Sequence, residues 1–537
     1  MTTSDLPAPP DESQEVEVPK SVYPQRIAVS RYGMAATAHH RATDAAVEIL
    51  EEGGNAFDAA VAAAFALGVC EPQASGLGGQ TMLLIYLADQ HQTLALDGSS
   101  RAPNRATPGS LSSAERRSGY RATTVPSTPA VLEYVRRTYG SLPLDRLLDP
   151  AIRLADEGFS ISELQRRLAR RERRRLSSGT AAPLFLKDGE KPYPVGAIFK
   201  QPVLADTLRR LARHGIEDFY SGDMAREIHE DMVENGGLLH LDDLARIPWP
   251  IERRPVSTRF EGKRIHTFPP PGAGRTLIEM FNILSNFPAK LRDPDTPLGT
   301  VLLAEVIRRA FLDRRDRPFD PSFYPQVERK RMLSPEYSQL VARQVRTRIK
   351  THGETTHLTV MDRHGNVVSL TQSIESVFGA RAANPQLGFL YNNYMSAFEY
   401  TDISHPHYLR PNAAPWASVA PTLVFQGRRP WAALGSPGSE RITPSILQVL
   451  LRLEKQSPMD AVSAPRIHCS LRGTVHLEVS RMRSDIPEAL VQRGFRLRYH
   501  EPFAFYMGCV QLVLCEKDEF IGVADLRRDG SAGGPAE

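Results

Sequence analysis

The stretch from Thr355 to Ser373, TTHLTVMDRHGNVVSLTQS, contains the clearest signal of secondary structure in the chain. HLTVMD (His357 to Asp362) and NVVSLTQS (Asn366 to Ser373) are rich in β-branched residues, and a polar turn at Arg363 to Gly365 separates them. Two such runs around a short turn that contains glycine predict a β-hairpin. A hydroxyl residue therefore stands directly before a strand, where threonine is also common for structural reasons alone.

Strand signals continue after this hairpin, and helix signals dominate before it. Downstream, the sequence predicts a helix from Thr443 to Lys455 and strands at GFLYNN, PTLVFQ, PWAALG, Val475 to Val479, Gly508 to Cys515 and Phe520 to Val523. Upstream, it predicts two helices, Thr43 to Glu52 and Asn55 to Val69, with Thr43 as a possible N-cap of the first. Two strands follow at Met82 to Leu87 and Thr93 to Leu96, and the region from Leu132 to about Arg213 is predicted to be mostly helical. The second of these helices is apolar nearly all round, which predicts that it is buried. This order of elements indicates an α+β protein with an antiparallel sheet core.

The composition is that of an ordinary globular protein. Among 537 residues, 41% are hydrophobic and 24% are charged, and the formal net charge is +4. These values exclude a collagen, a wholly disordered chain and a disulfide scaffold. The small net charge gives no reason to expect nucleic acid as a partner, and no apolar run is long enough to predict a membrane span.

The cysteines and the two ends of the chain suggest a cytoplasmic protein without a metal or cofactor. Four cysteines occur without a CxxC pair, and no Cys/His cluster has the spacing of a zinc site. Residues 1–26 are acidic and rich in proline without the features of a secretory signal, so they are expected to form a disordered tail. Residues 529–537, DGSAGGPAE, are expected to be flexible from their composition.

Two further motifs have both a functional and a structural interpretation. Gln165 to Leu176, QRRLARRERRRL, contains seven arginines and could bind RNA or phosphate, but a solvated helix face explains it as well. Gly76 to Gly79 lacks the spacing of a dinucleotide-binding loop and precedes a strand, so it is interpreted as a tight turn.

From Gly33 to Asp529 the chain resembles the γ-glutamyltranspeptidase family of N-terminal-nucleophile (Ntn) hydrolases. The blocks that carry the resemblance occur in the family's order, and they are GMAATAHHRATDAAVEILEEGGNAFDAAVAAAFALGVCEPQASGLGG, VPSTPAVL, NGGLLHLDDLARI, FPPPGAGRTL, TTHLTVMDRHGNVVSLTQSIESVFG, GFLYNNYM, GSPGSERI and DLRRDG. The resemblance implies a four-layer αββα Ntn-hydrolase sandwich, formed as one domain from two subunits that a self-made cut produces.

The resemblance places that cut between Glu354 and Thr355. Residues 27–354 would form the large subunit and residues 355–537 the small subunit, and the two would remain together as a heterodimer. The chemistry explains why the cut is needed, since a threonine hydroxyl is a weak nucleophile that requires a base. Cleavage frees the α-amino group of Thr355, whose ordinary pKa of about 8 allows it to accept the hydroxyl proton near neutral pH.

Other family positions carry over residue by residue. Ser373 matches a second hydroxyl residue, usually threonine, that hydrogen-bonds the nucleophile's amine. Gly438 and Ser439 match the Gly-Gly pair whose backbone N–H groups form the oxyanion hole. Ser418 matches the second serine of a pair that holds the substrate carboxylate, and Glu375 matches a position near the substrate amine.

Three of the family's devices for recognising the γ-glutamyl head group are altered, at four positions. Ser99 stands where the family has the arginine that binds the substrate α-carboxylate, and Arg101 lies two residues away. Tyr394 and Ala397 replace the pair that binds the α-ammonium group. The first serine of the Ser-Ser pair is Ala417.

These departures predict poor turnover of glutathione and a pocket that prefers another acyl group, larger or more apolar beside Tyr394. A lost bidentate arginine and a lost ammonium acceptor together cost several kcal/mol, and ~4 kcal/mol is about a thousandfold in affinity. The alternative is that Arg101 or Arg410 supplies the missing charge.

Three functions remain open from the sequence. The first is a self-processing threonine amidohydrolase or acyltransferase that acts on a small-molecule amide or acyl substrate. The second is a hydrolase of carbon–carbon bonds in alkylproline-type antibiotic metabolism, because relatives of the family resemble that case. The third is a non-catalytic scaffold.

Overall fold

The computed structural model describes residues 25–316 and 354–536, so most of the predicted N-terminal tail, residues 1–24, lies outside it. In chain order the α-helices are α1 His40–Glu51, α2 Ala56–Cys70, α3 Thr128–Tyr139, α4 Leu144–Glu157, α5 Glu163–Leu176, α6 Ala182–Phe185, α7 Pro202–His214, α8 Glu217–Ser221, α9 Asp223–Glu234, α10 Leu241–Leu244, α11 Gly274–Leu284, α12 Pro297–Asp316, α13 Ile442–Leu453, α14 Pro458–Ser463 and α15 Asp485–Gln492.

The strands are β1 Ile27–Ser30, β2 Gly33–Thr37, β3 Gln80–Leu87, β4 Gln92–Gly98, β5 Phe159–Ser160, β6 Ile198–Phe199, β7 Ile251–Arg253, β8 Val256–Phe260, β9 Lys263–Thr267, β10 Glu354–Asp362, β11 Val367–Glu375, β12 Thr422–Gln426, β13 Arg429–Gly435, β14 Ile467–Cys469, β15 Thr474–Leu477, β16 Arg496–Tyr499, β17 Gln511–Glu516, β18 Glu519–Ala524 and β19 Ser531–Gly533. Two seven-stranded sheets dominate. The hairpin sheet has the order β19-β2-β10-β11-β3-β4-β7, and the partner sheet has the order β1-β18-β17-β13-β12-β9-β8.

Three apolar layers hold four layers of secondary structure together. Between the two sheets lie side chains such as Met34, Met82, Leu423 and Val513. The outer face of the hairpin sheet packs on α1, α2 and neighbouring helices, and the outer face of the partner sheet packs on α11, α12 and α13. Because strand side chains alternate between faces, each sheet can contribute to two of these layers at once. The arrangement confirms the predicted αββα sandwich.

The predicted hairpin is present as β10 and β11, which pair antiparallel with Met361 opposite Val367. The Asp362 carboxylate fixes the turn, since its Oδ1 accepts hydrogen bonds from the backbone N–H groups of His364 and Asn366 at 2.9 and 3.0 Å. An aspartate carboxylate that accepts hydrogen bonds from backbone N–H groups later in the chain takes the place of strand-to-strand hydrogen bonds at the turn. The sequence pattern therefore identified both strands and their connection.

Helix α2 is buried over nearly its whole surface, as its apolar composition predicts. Asn55 and Asp58 form a capping box at its N-terminus. Helix α1 begins at His40 with His39 as N-cap, so the prediction of Thr43 as N-cap is wrong. The Thr43 hydroxyl instead bonds to the Thr37 hydroxyl at 2.9 Å, because that face of the helix packs on β2.

Two other predictions of local structure are wrong. GFLYNN forms only isolated bridges at Leu390 and Tyr391, because its backbone bonds to loop residues such as Ala382 rather than to a sheet edge. The C-terminal segment is ordered over residues 529–536, with Ser531–Gly533 buried as β19 against β2. The small residues of this segment suggest flexibility in the sequence. In the structure their backbone pairs with the open edge of the hairpin sheet at β2, where longer side chains would have no room.

The arginine-rich segment lies on α5, whose buried positions include Leu164, Leu168 and Leu176. Its arginines point away from this core, which supports the interpretation as a solvated face. The four cysteines are unpaired. Among the described helices, none is long and apolar enough to cross a membrane.

Deleting residues 529–537 is expected to lower the free energy of unfolding by ~3 kcal/mol, because three residue pairs of the β19–β2 ladder are lost at about 1 kcal/mol for each hydrogen bond. Urea denaturation followed by circular dichroism measures the change. The matched control deletes only residues 536–537, which leaves β19 in place. Equal unfolding midpoints for both truncations would contradict a structural role for the C-terminal strand.

Candidate active site

The ends of neighbouring strands bring the predicted catalytic residues to one edge of the hairpin sheet. Glu354, at the start of β10, pairs with Glu375 at the end of β11, and Ser373 pairs with Gln80 at the start of β3. Thr355 follows directly after Glu354 and is 5% exposed. Antiparallel pairing places the start of one strand beside the end of the next. The register therefore brings Thr355, Ser373 and Glu375 together.

The side chain of Thr355 belongs to the face that looks toward the partner sheet. His357 and Thr359 occupy the same face by strand alternation, and their side chains bond to each other at 3.1 Å. Thr359 also donates to the backbone oxygen of Gln511 in the partner sheet. Thr355 thus lies between the two sheets at their common end.

The partner sheet brings two further predicted site residues, Ser418 and Gly438, close together at the ends of its strands β12 and β13. Thr422 of β12 pairs with Leu434 of β13, so the segment before β12 and the segment after β13 are neighbours. Ser418 lies in the first segment, and Gly438 lies in the second. Strands β10 and β11 both pack on β13.

Gly438 and Ser439 have backbone conformations that turn the chain sharply into α13. Their φ angles are +118° and +55°, both in the left-handed half of conformational space. Glycine tolerates such angles freely, whereas a serine there carries strain of about 1–2 kcal/mol. Backbone N–H groups at the start of a helix suit the binding of a developing negative charge.

Ser373 is connected to Glu375 and Tyr394 by hydrogen bonds. The Ser373 hydroxyl accepts the backbone N–H of Glu375 at 2.8 Å, and the Tyr394 hydroxyl bonds to the Ser373 side chain. Burial, followed by the negative charge of Glu375, raises the pKa of Tyr394. The phenol therefore stays neutral and orients the serine.

Tyr394 is only 2% exposed, and its hydroxyl contacts Ser373. Its role beside the acyl group of a substrate stays a prediction. Ala397 is half-buried, and its backbone oxygen accepts the N–H of Trp416 at 3.2 Å. Trp416, which sequence reasoning did not single out, is therefore the aromatic residue beside Ala397.

Ser99 lies at the end of β4, next to the same edge, but its hydroxyl is already engaged. The Ser99 Oγ donates to Asp97 Oδ1 at 2.6 Å, and Asp97 Oδ2 accepts from Arg253 at 2.7 Å. Arg101 is half-buried, and its side chain has no hydrogen-bond or ion-pair partner among residues 25–316 and 354–536. Arg410 bonds to the backbone oxygen of Ile403 at 2.8 Å, so it is held at the surface loop.

On the opposite face of β10, Thr356 is fixed by a buried carboxylate. The Thr356 hydroxyl donates to Glu71 Oε2 at 2.5 Å, and Arg528 Nη1 lies 3.5 Å from Glu71 Oε1. Burial raises the pKa of Glu71 to about 7, although Arg528 and the Thr356 hydrogen bond oppose the shift. The residue after Thr355 is thus tied to α2 and to the C-terminal segment. No spacing in the sequence connects these three residues, so only the fold reveals them.

Within residues 25–316 and 354–536, no group of three or more His, Cys, Asp or Glu side chains has the geometry to hold a metal ion.

Comparison with known proteins gives a consistent result. The family model for gamma-glutamyltranspeptidase matches residues 42–534. The chain is 31% identical to a glutathione hydrolase proenzyme of Bacillus subtilis over 96% of this chain and 94% of that protein. It is 32% identical to the acylase ACY 1 proenzyme of a Pseudomonas strain over 87% of each chain. The crystal structure of a cephalosporin acylase from Bacillus halodurans superimposes with a TM-score of 0.87 at 28% identity, covering 97% of this chain and 99% of that one.

A Glu71→Gln variant is expected to gain stability relative to the wild type as the pH rises from 4.5 to about 7. In this window the folded wild type keeps a proton that the unfolded chain releases, so its stability falls as the pH rises. The contribution of Glu71 is fully present below pH 4.5 and lost above about pH 7, a change of ~3 kcal/mol. Urea denaturation of both proteins from pH 4.5 to 8 measures the difference. A difference that is constant over this range would contradict the raised pKa.

Proposed function

Because the chain belongs to the γ-glutamyltranspeptidase family of Ntn hydrolases, we propose that it is a self-processing amidohydrolase or acyltransferase with Thr355 as its nucleophile. The observation that supports the proposal is that the strand ends of the two sheets lie together. Thr355 at the start of β10 and Ser373 near the end of β11 are neighbours in the hairpin sheet, and Gly438–Ser439 follow β13, which packs on β10 and β11.

Activation consists of cleavage of the Glu354–Thr355 peptide bond. The products are a large subunit that ends at Glu354 and contains residues 27–354 of the domain together with the N-terminal tail, and a small subunit, residues 355–537. The new α-amino group of Thr355 then serves as the base for its own hydroxyl, which the amide of the precursor cannot do. Ser373 is within the same strand-end cluster and supplies a hydrogen bond to this amine, while Tyr394 holds Ser373 in place.

Catalysis proceeds through an acyl-enzyme. The Thr355 hydroxyl loses its proton to the α-amine and attacks the substrate carbonyl, and the N–H groups of Gly438 and Ser439 stabilise the oxyanion. The resulting ammonium group returns the proton to the leaving amine as the tetrahedral intermediate collapses. Water or a second amine then releases the acyl group, giving hydrolysis or transfer.

The γ-glutamyl head group is a poor fit for this site. The Ser99 hydroxyl is occupied by Asp97, and the neighbouring guanidinium of Arg253 bonds to the same carboxylate. Tyr394 is buried against Ser373 and offers no carboxylate to an ammonium group. The proposed catalytic residues Thr355, Ser373, Gly438 and Ser439 are therefore combined with changed residues at the positions that recognise the γ-glutamyl head group. Cleavage of a carbon–carbon bond beside a carbonyl could use the same catalytic set, but no contact among the described residues favours it.

Purified wild-type protein is expected to give two bands on a denaturing gel, with N-terminal sequencing of the smaller fragment starting at Thr355. Thr355→Ala should remain a single band, because alanine has no hydroxyl to attack the preceding carbonyl. Thr138→Ala is the matched control, since it removes an exposed threonine hydroxyl on α3. A full-length wild-type band would count against both self-processing and the enzyme, and would leave the scaffold alternative.

For γ-glutamyl-p-nitroanilide, kcat/KM is expected below ~10⁴ M⁻¹s⁻¹, the lower end of the ordinary enzyme range. The reason is the loss of the arginine and of the ammonium acceptor, which together are worth several kcal/mol of binding. Release of nitroaniline at pH 7.5 measures the rate, with Thr355→Ala as the background. A value above that limit would show that neighbouring groups restore recognition of the γ-glutamyl head group.

A further inference from the structure

Helix α5 presents its arginines to solvent from a firmly held base. Its three leucines are buried against the core. Near the start of the helix, Gln165 Nε2 donates to the backbone oxygen of Cys70 at 2.7 Å. Near its end, the buried Glu172 carboxylate lies 3.1 Å from Arg381 Nη2. Because both ends of the helix are fixed to other elements, the fold sets the positions of its exposed side chains.

Four of the seven arginines on α5 have no partner in the protein. Glu172 is the acidic residue within the arginine run, and its carboxylate bonds to Arg171 at 3.3 Å and to Arg175 at 3.0 Å. Arg167 bonds to Glu501 at 3.3 Å. The other four are exposed, and within residues 25–316 and 354–536 their side chains form no hydrogen bond or ion pair; they are Arg166, Arg170, Arg173 and Arg174. These four are called the arginine face below.

The arginine face concentrates positive charge in one place. Arg166, Arg170 and Arg174 are spaced by four residues, so they lie in one row, where like charges destabilise a helix. The exposed Lys191 and its neighbour Pro192 line the same open cleft as these arginines. The formal net charge of the whole chain is only +4, so this concentration is local. Such a surface favours a partner with many negative charges spread over an area.

Two exposed aliphatic side chains lie beside the start of α5. Val195 is 46% exposed and Ile198 is 57% exposed. Ile198 in β6 pairs with Ser160 in β5, and Ser162 is the N-cap of α5. The segment 191–198 therefore runs from the cleft of the arginine face to the start of the helix. Basic side chains next to exposed aliphatic ones are the combination that binds the interface of an anionic bilayer.

The same neighbourhood is less suited to a nucleic acid. Unpaired bases bind by stacking on exposed aromatic side chains. Among residues 159–200, all of which the structure describes, the exposed large apolar side chains are Val195 and Ile198. Tyr193 is half-buried, with its ring 5.1 Å from that of Phe199. The aliphatic neighbours therefore favour lipid over a nucleic acid as the source of the negative charge.

We propose that the arginine face, Lys191, Val195 and Ile198 form a docking surface for an anionic lipid bilayer. The basic side chains lie against the phosphate groups of the lipids, and the two aliphatic side chains enter the headgroup region. Each basic side chain near an anionic bilayer strengthens binding about fivefold, so several together give reversible attachment. This inference goes beyond the proposed function and does not depend on it.

Sedimentation of the full-length protein with sucrose-loaded vesicles tests the proposal. One set of vesicles contains phosphatidylcholine alone, and the other contains phosphatidylcholine with phosphatidylglycerol. Wild-type protein should bind the anionic vesicles at least ~10-fold more tightly than the neutral ones. Raising NaCl from about 0.1 M to about 0.5 M should remove most of this binding, because salt screens exposed charges. Glutamine at all four positions of the arginine face should weaken it at least ~10-fold, and Val195→Ser with Ile198→Ser at least ~3-fold.

The matched control removes the same total charge from other surfaces. It places glutamine at four exposed arginines on or beside strands of the partner sheet and the smaller sheets, namely Arg254, Arg259, Arg428 and Arg472. This variant should bind anionic vesicles like the wild type. Unfolding midpoints of all variants identify any change that is only structural. Should the fourfold variant of the arginine face not fold, Arg170→Glu keeps the test decisive, because one reversed charge should weaken binding more than Arg170→Gln does.

Several outcomes would overturn the docking surface. Equal losses in the control and in the fourfold variant of the arginine face would show that binding follows total charge. Equal binding to neutral and anionic vesicles, or unchanged binding in the Val195/Ile198 variant, would contradict the proposed contacts. Tighter binding to a single-stranded RNA than to anionic vesicles, measured by fluorescence anisotropy, would assign the face to nucleic acid. A single band in the self-processing gel would overturn the proposed function alone.

Discussion

The antiparallel pairing of β10 with β11 is the constraint on which the site depends. A shift of this register by one residue would turn Thr355 toward the helices and Thr356 toward the partner sheet. The register is held at one end by the Asp362 turn and at the other by the Thr356–Glu71 hydrogen bond. Ser373 and Glu375 reach their positions only because this pairing continues into β3.

The second sheet completes the site because its strands end at the same place. The Gly438–Ser439 turn follows β13 and Ser418 precedes β12, so one pairing of two strands positions the proposed oxyanion site and the proposed recognition segment together. The strain of Ser439 in a left-handed conformation is maintained by the rigid packing around it. The proposed recognition residues Ser99 and Ala397 lie on segments separate from Thr355 and Gly438, so substitutions there leave the strands that carry the proposed catalytic residues in place.

Much of the architecture could be predicted from local patterns. The hairpin, the buried helix α2 and the strands β12 and β13 have strong period or composition signals, and the structure has all of them. GFLYNN and the C-terminal β19 were predicted incorrectly, because long-range pairing decides whether a short apolar or glycine-rich segment joins a sheet. The N-cap of α1 is His39 and not the predicted Thr43, because the Thr43 hydroxyl bonds to the Thr37 hydroxyl in β2.

The sequence by itself determined the family, the fold class and the candidates Thr355, Ser373, Gly438 and Ser439, since these lie in contiguous motifs. Only the tertiary structure decided what surrounds them. The burial of Tyr394 against Ser373, the tie from Thr356 to Glu71 and the ion pair of Glu172 with Arg381 join residues up to hundreds of positions apart. The physical reason is that hydrogen bonds and desolvation depend on distance in space, and local sequence patterns carry information only about neighbours along the chain.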